Sequence, residues 1–352
     1  MASLIEHLDR SRYRPLAVTT QPDELSERLE ELDCPVRFFP LSAISKDAAG
    51  RVMGNIRRFR NLYREEGVRI VHPDAERDVV VAGLAKFGTG VRLLWHARVT
   101  GRNKLDPLVI RLADQVVGVS DGVQKRFAPR LLAGKYQTIF NGVDLQRFRP
   151  RDDRSALKDA CGMPADRPVL LFAGQIKKEK GIFDLVDAME LLRERRAGQD
   201  MPVLYMLGTP IRQVEMEELV RITGEKNLDD VVRIFPQQSN IEEWMAAADL
   251  LMLPSHEGSE GMGRVVFEAM ACGLVPVASD ISGVREAVTP DSGVLVPEKN
   301  PSALANTIAQ SLDDPAGVAR LREGGLQRAR DVFDIRLHAR NVERVYEKML
   351  RR

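Results

Sequence analysis

The chain has 352 residues, is 44% hydrophobic and 29% charged, and carries a formal net charge of +1, a balance that excludes a disordered or low-complexity protein and leaves room for two domains of ordinary size. No run of about 18 apolar residues reads as a membrane span, and the opening MASLIEHLDRSR does not read as a secretory leader. Cys34, Cys161 and Cys272 are far apart and odd in number, with no metal-ligand spacing; free thiols in a reducing cytoplasm are the simplest account.

The near-neutral total conceals an asymmetry. Residues 1–150 hold 25 Lys+Arg against 18 Asp+Glu, a balance of +7, and the remainder holds 27 against 33, a balance of −6. Arg51, Arg57, Arg58, Arg60 and Arg64 fall in one expected helix. Such a face suits anionic lipid at the inner side of a membrane, an acidic acceptor, or plain solvation. With only 5% aromatic residues and no recognition motif, nucleic acid is not an expected partner.

In chain order, apolar strand-like runs alternate with helical patterns, which predicts an α/β protein with parallel sheets. The segment SLIEHL reads as a helix. Strands are expected at Leu16–Thr19, Val36–Phe39, Ile70–Val71, Arg92–His96, Gln115–Val119 and Gln137–Phe140, with helices near Ser26–Leu32 and Lys46–Glu66. A doubly wound domain usually opens on a hydrophobic strand and a glycine-rich turn, so the first strand of the N-terminal domain is expected to be missing. Supplying an upstream strand and turn is expected to raise stability or activity. Residues 149–168 are polar with three prolines and read as a domain boundary. The alternation restarts with strands at Val169–Ala173, Val203–Leu207, Val231–Phe235, Leu250–Leu253, Val275–Ala278 and Val294–Val296. The reading is therefore two Rossmann-like doubly wound domains facing a cleft, 1–150 and 151–335, followed by an amphipathic helix over 336–352 that could cross back to the first.

Residues 253–288, LPSHEGSEGMGRVVFEAMACGLVPVASDISGVREAV, are the most informative segment. Glu260 and Glu268 are separated by seven residues. The glycine turn Gly261-Met262-Gly263 lets backbone N–H groups approach a ligand, and the helix that follows favours negative charge at its start. Upstream, Leu171-Phe172-Ala173-Gly174 reads as a strand end, followed by the basic loop Gln175–Lys180, Gly181 and a helix. Strand, basic loop and helix N-terminus form a suitable diphosphate cradle. His96 closes a hydrophobic strand, with Arg98 close behind, and His72-Pro73 ends another.

These residues carry a resemblance. The 254–277 string resembles the E-x7-E signature of the family 4 glycosyltransferases, which are retaining enzymes of the GT-B fold, and 174–181 resembles the family's G-R-x-x-x-x-K-G element. The resemblance implies transfer of a sugar from a UDP-, GDP- or ADP-linked donor to a carbohydrate or lipid-linked acceptor. No metal or other cofactor is implied. It assigns Lys180 to the diphosphate, Glu260 to the donor sugar near its reacting face, and Glu268 to the ribose hydroxyls, where an ionised carboxylate acts as an acceptor. Met262, Gly263 and Val265, with Gly261, would offer backbone N–H groups. Phe235 would border the base, unless it is simply a buried strand end. His96 would stand near donor sugar and acceptor, with Arg98 on the acceptor side. His96, Lys180 and Glu260 are the expected catalytic set. Gln175 departs from the pattern, since the family has arginine there; Lys177 or Lys178 would have to supply the lost charge. No Asp-x-Asp pair, zinc-type cluster, Gly-x-Ser-x-Gly elbow or Walker A loop is present. A non-catalytic or truncated nucleotide-sugar-binding protein, an epimerase or hydrolase on the same fold, and a two-lobed solute-binding protein remain open on the residues alone.

Overall fold

The computed structural model describes residues 1–41, 49–197 and 199–351. The chain folds as two compact units, one made of Met1–Gly142 with Ile335–Arg352 and the other of Val143–Asp334. Residues 149–168 lie in the second.

In the first unit the strands are β1 Ala17–Thr19, β2 Val36–Phe38, β3 Ile70–Val71, β4 Arg92–Ala97, β5 Gln115–Gly118 and β6 Tyr136–Thr138. They form a two-stranded sheet, β1-β2, and a four-stranded sheet, β3-β4-β5-β6, with every ladder parallel. Ahead of β1 stands the helix Ala2–Glu6. The arginine-rich helix runs Ala49–Glu65; residues 46–48 of the expected helix lie outside the described residues. Its Phe59 and Tyr63 are buried with Val81 and Ala85 of the helix Glu76–Ala85, while Arg51, Arg57, Arg58 and Arg64 face solvent. This is the division of labour expected of an amphipathic surface helix.

The helix Ile335–Leu350 belongs to this unit. Its Ala339, Val342, Val345, Tyr346 and Met349 pack with Leu4, Leu94, Val117 and Ile139. Gly142 and Ile335 lie backbone to backbone, so closely that a Cβ at Gly142 would overlap the Ile335 Cα. Deeper in, Arg126 has a fully buried side chain. Its guanidinium donates to Asp106 at 2.5 and 2.9 Å, to Glu76 at 2.6 Å and to the Val99 carbonyl at 3.2 Å. It also lies 5.6 and 5.2 Å from the ring centroids of Trp95 and Phe127.

The second unit is built on β7 Val169–Ala173, β8 Val203–Leu207, β9 Val232–Phe235, β10 Leu250–Leu253, β11 Val275–Ser279 and β12 Val294–Val296. The sheet is parallel in the order β12-β11-β10-β7-β8-β9. Strands β7, β8, β10 and β11 are almost continuously apolar and buried, as required when helices cover both faces. The chain winds outward from β7 to β9 and then returns to β7's other side at β10. The strand order therefore reverses between β7 and β10. In open α/β sheets the carboxyl ends at such a reversal are where ligands bind, and the loops leaving those two strands are 174–181 and 254–263.

Candidate functional site

Both loops are shaped by glycines. Gly181 has φ of 69° and sits against Pro254, so that a Cβ there would overlap the Pro254 carbonyl oxygen. No L side chain fits this position, so the loop after β7 can press directly onto the loop after β10. The backbone N–H of His256 donates to the Glu179 carbonyl at 2.9 Å, which fastens the two loops. Lys178–Lys180 forms a single 3-10 turn ahead of the helix Ile182–Arg195. That turn brings the Lys180 ammonium onto the Glu260 carboxylate, and Lys180 also donates to the Ser259 carbonyl at 3.4 Å. Ser255 donates to the same Glu260 oxygen at 3.0 Å. Both partners of the ion pair are largely shielded, with side-chain exposures of 13% and 11%.

Glu260 lies on the approach to the helix Arg264–Ala271, whose N-cap is Gly263 in the left-handed conformation. Among the described residues no side chain caps that helix, so its N-terminus presents positive potential toward the loop, although the Val266 amide donates to the Gly263 carbonyl at 2.9 Å. Gly283, at φ 87°, lies under Gly261, where a Cβ would overlap the Gly261 carbonyl. Met262 and Gly263 are buried and Val265 is half-buried. Glu268, one turn into the helix, accepts from Arg264 at 2.8 Å and is mostly shielded. His256, on the same loop, meets Asp184 at 2.6 Å. Ser255 and His256 carry no strong local signal of a role in the sequence, because their partners are contributed by loop packing; Gly181 and Gly283 are the available signals.

At the far end of this sheet Phe235 is half-exposed rather than buried. Its ring stacks on Tyr205 at 5.9 Å and 12° and meets Trp244 at 5.7 Å. Gln175 is exposed on the loop after β7.

His96 and Arg98 belong to the first unit. His96, near the end of β4, is fully buried. Its ring stacks between His72, at 5.3 Å and 4°, and His338, at 5.8 Å and 27°. His72 bonds the Tyr346 hydroxyl at 2.7 Å, and His338 bonds the Phe140 carbonyl at 2.7 Å. Neither ring nitrogen of His96 has a partner among the described residues, and the same holds for His72 Nε2. Burial, reinforced by Arg98, pushes the His72 imidazole down to about 3 and His96 well below the usual histidine range; burial likewise pushes His338 down to about 4. All three rings are neutral at pH 7, each a donor and an acceptor. Arg98 pairs with Asp74 at 3.2 Å and donates to Asn141 at 2.9 Å. No group of three or more His, Cys, Asp or Glu that could hold a metal occurs among the described residues.

Residues 1–147 match the sequence profile of Glycosyltransferase Family 4, and residues 153–328 match that of Glycosyl transferases group 1. The D-inositol 3-phosphate glycosyltransferase of Thermobispora bispora is 30% identical over 325 residues, which cover 85% of this chain and 75% of that protein. The chain belongs to the group 1, family 4 glycosyltransferases. The enzyme of the same name from Jonesia denitrificans is 34% identical over 221 residues, 61% of this chain and 51% of that protein. The chain spans about half the length of the curated relatives it matches at this level. Among solved structures, Anabaena HepE in complex with UDP-glucose superposes with a TM-score of 0.83 at 21% identity, covering 98% of this chain and 95% of that one. The fold is accordingly GT-B, with two Rossmann-like α/β units. No helix among the described residues is long and apolar enough to cross a membrane.

Proposed function

We propose that this glycosyltransferase family member transfers a sugar from a nucleotide diphosphate sugar to an acceptor hydroxyl with retention of anomeric configuration. The observation that carries the reading is the Lys180–Glu260 ion pair, formed between two loops at the strand-order reversal and set beside an uncapped helix N-terminus. A diphosphate entering there competes with Glu260 for the Lys180 ammonium. Lys180 and the first-turn N–H groups then meet the charge that develops on the leaving phosphate, in place of a metal ion. Glu260, released from its pair, accepts from a donor-sugar hydroxyl, and Glu268 accepts from the ribose. Phe235, with Tyr205 beneath it, offers an aromatic face to the base. His96 and Arg98 are assigned to the sugar and acceptor side, where neutral imidazoles suit hydroxyl groups. HepE's complex with UDP-glucose supports a nucleotide-sugar donor, and the relatives' names, D-inositol 3-phosphate glycosyltransferase, support an acceptor of the phosphorylated small-polyol class.

The first test is calorimetry. Lys180→Ala is expected to weaken binding of UDP, GDP or ADP, whichever binds tightest, by about 1.5–3 kcal/mol, while leaving the matching nucleoside unaffected. Equal losses for both ligands would remove Lys180 from the phosphate. In the same assay Glu268→Gln should weaken the nucleoside, whereas in steady-state turnover Glu260→Gln should lower kcat with little change in KM; if both altered KM alone, this division of roles would be wrong. NMR of the product's anomeric proton checks retention.

The exposed arginines of the helix Ala49–Glu65 support peripheral contact with an anionic membrane from the cytoplasmic side, where three buried free thiols are at home. Co-sedimentation with phosphatidylglycerol vesicles, lost in the Arg57→Ala/Arg58→Ala/Arg64→Ala protein, is the expected result. Binding that survived the triple substitution would exclude this face.

A further inference from the structure

The loop that carries Lys180 is held from its other side by the loop after β8. The amide of Gly174 donates to the Leu207 carbonyl at 3.0 Å, and that of Ile176 to the Thr209 carbonyl at 3.0 Å; the Ile211 amide returns to the Ile176 carbonyl at 3.4 Å. A short parallel bridge, Ile176 to Pro210, continues the β7–β8 ladder beyond the sheet. Gly208 permits this, because a Cβ there would overlap the Gly174 carbonyl. Two residues further along this second loop stands Arg212, followed by Glu215 in the first turn of the helix Gln213–Glu225.

Glu215 is a buried carboxylate on an otherwise surface-exposed helix start. One of its oxygens accepts from the backbone N–H of Lys178 at 3.1 Å, within the 3-10 turn, and from the Arg212 guanidinium at 2.6 Å. Its other oxygen is buried without a partner among the described residues. A buried carboxylate half satisfied in this way is costly for stability alone. Its geometry does one thing plainly: it ties a guanidinium to the backbone of the turn that delivers Lys180. The Arg212 side chain is still 63% exposed, so most of its fork of N–H donors remains available to a ligand above the loop. Gln175 contributes no charge here, and Lys177 and Lys178 are flexible single-point cations by comparison.

We propose that Arg212 is a second phosphate-binding cation of the donor site, and that Glu215 is the positioning residue that holds it over the 175–180 loop. The inference rests on the donor reading given above and deepens it: the diphosphate is gripped from the loops after both β7 and β8, with Lys180 supplying a point charge and Arg212 a bidentate fork.

The test is a calorimetric series on the full chain with UDP, GDP and ADP and their nucleosides, using wild-type protein and the Lys180→Ala, Arg212→Ala, Arg212→Lys and Glu215→Gln variants, each first shown to melt like wild type. Arg212→Ala should lose about 10- to 100-fold in affinity for the tightest-binding diphosphate and nothing for its nucleoside. Arg212→Lys should recover part of that loss. Glu215→Gln keeps an oxygen acceptor for the Lys178 amide but removes the negative charge that pins the guanidinium, so it should lose a smaller factor. That factor should vanish in the Arg212→Ala background, because the two residues act through one contact. If Lys180→Ala responds and Arg212→Ala does not, or if Arg212→Ala weakens nucleoside and diphosphate equally, the proposal is overturned while the donor reading stands. If wild type binds none of the three diphosphates, both fall.

Discussion

Lowering the pH from 7.5 to 5.5 should remove about 4 kcal/mol from the stability of the first unit. The cause is the stack of His72, His96 and His338. Their folded-state values lie below the unfolded value of about 6.5, so the rings are neutral in the fold and take up protons only on unfolding. The contribution is therefore fully present above pH 6.5. It is lost as pH falls through 6.5 toward the folded values of about 4 for His338 and about 3 for His72, at up to about 1.4 kcal/mol per ring per pH unit. Charging even one ring in place is disfavoured, first by its burial and then by the positive Arg98 guanidinium beside the stack. Urea denaturation monitored by amide hydrogen exchange in β4 and β5 reads the first unit specifically. Equal midpoints at the two pH values would show that the rings protonate without unfolding it.

Arg126→Met should destabilise the first unit by about 3–5 kcal/mol, because it leaves the Asp106 carboxylate, itself almost wholly buried, without its counter-charge. The missing ring contacts with Trp95 and Phe127, worth about 2 kcal/mol each when desolvated, also contribute to the loss. The discriminating measurement is the double variant Arg126→Met/Asp106→Asn. It should recover much of the stability, since the penalty is the orphaned charge and not the lost bond. A double variant as unstable as the single one would instead place the cost in packing.

The parallel α/β class was legible because strands buried on both faces leave continuous apolar runs such as Val169–Phe172 and Leu250–Leu253. The site loops were legible as segments: glycine turns and a basic run survive in one dimension. Their pairings were not. Lys180 and Glu260 are 80 residues apart, and only the reversal of strand order between β7 and β10 brings them together. His338 gave no local sign of joining His72 and His96, because its partners lie more than two hundred residues upstream and the contact depends on the last helix docking on β4 and β5. Arg212 and Glu215 carry no signal in the sequence, since i,i+3 charge pairs are common on surfaces. What distinguishes them is the Lys178 amide, which donates to the same Glu215 oxygen as Arg212 and which no spacing encodes. Phe235 illustrates the reverse case: a strand-end phenylalanine reads equally well as buried or exposed, and its stacking on Tyr205 depends on a strand that is distant in sequence.

The meeting of Gly142 with Ile335 has a consequence for how the chain is made. The two points at which the polypeptide leaves and re-enters the first unit are in contact, so Val143–Asp334 is in effect a domain inserted into a loop of another. The layer that closes the first unit's sheet, Ala339 through Met349, is synthesised only after the whole of the inserted unit. Until then Leu94, Val117 and Ile139 have no cover from that helix, and the histidine stack lacks one of its three rings. On the ribosome, therefore, the middle of the chain is free to fold before the beginning, and the first unit remains an open, aggregation-prone sheet for the time taken to add roughly two hundred residues, about ten to forty seconds at ordinary elongation rates.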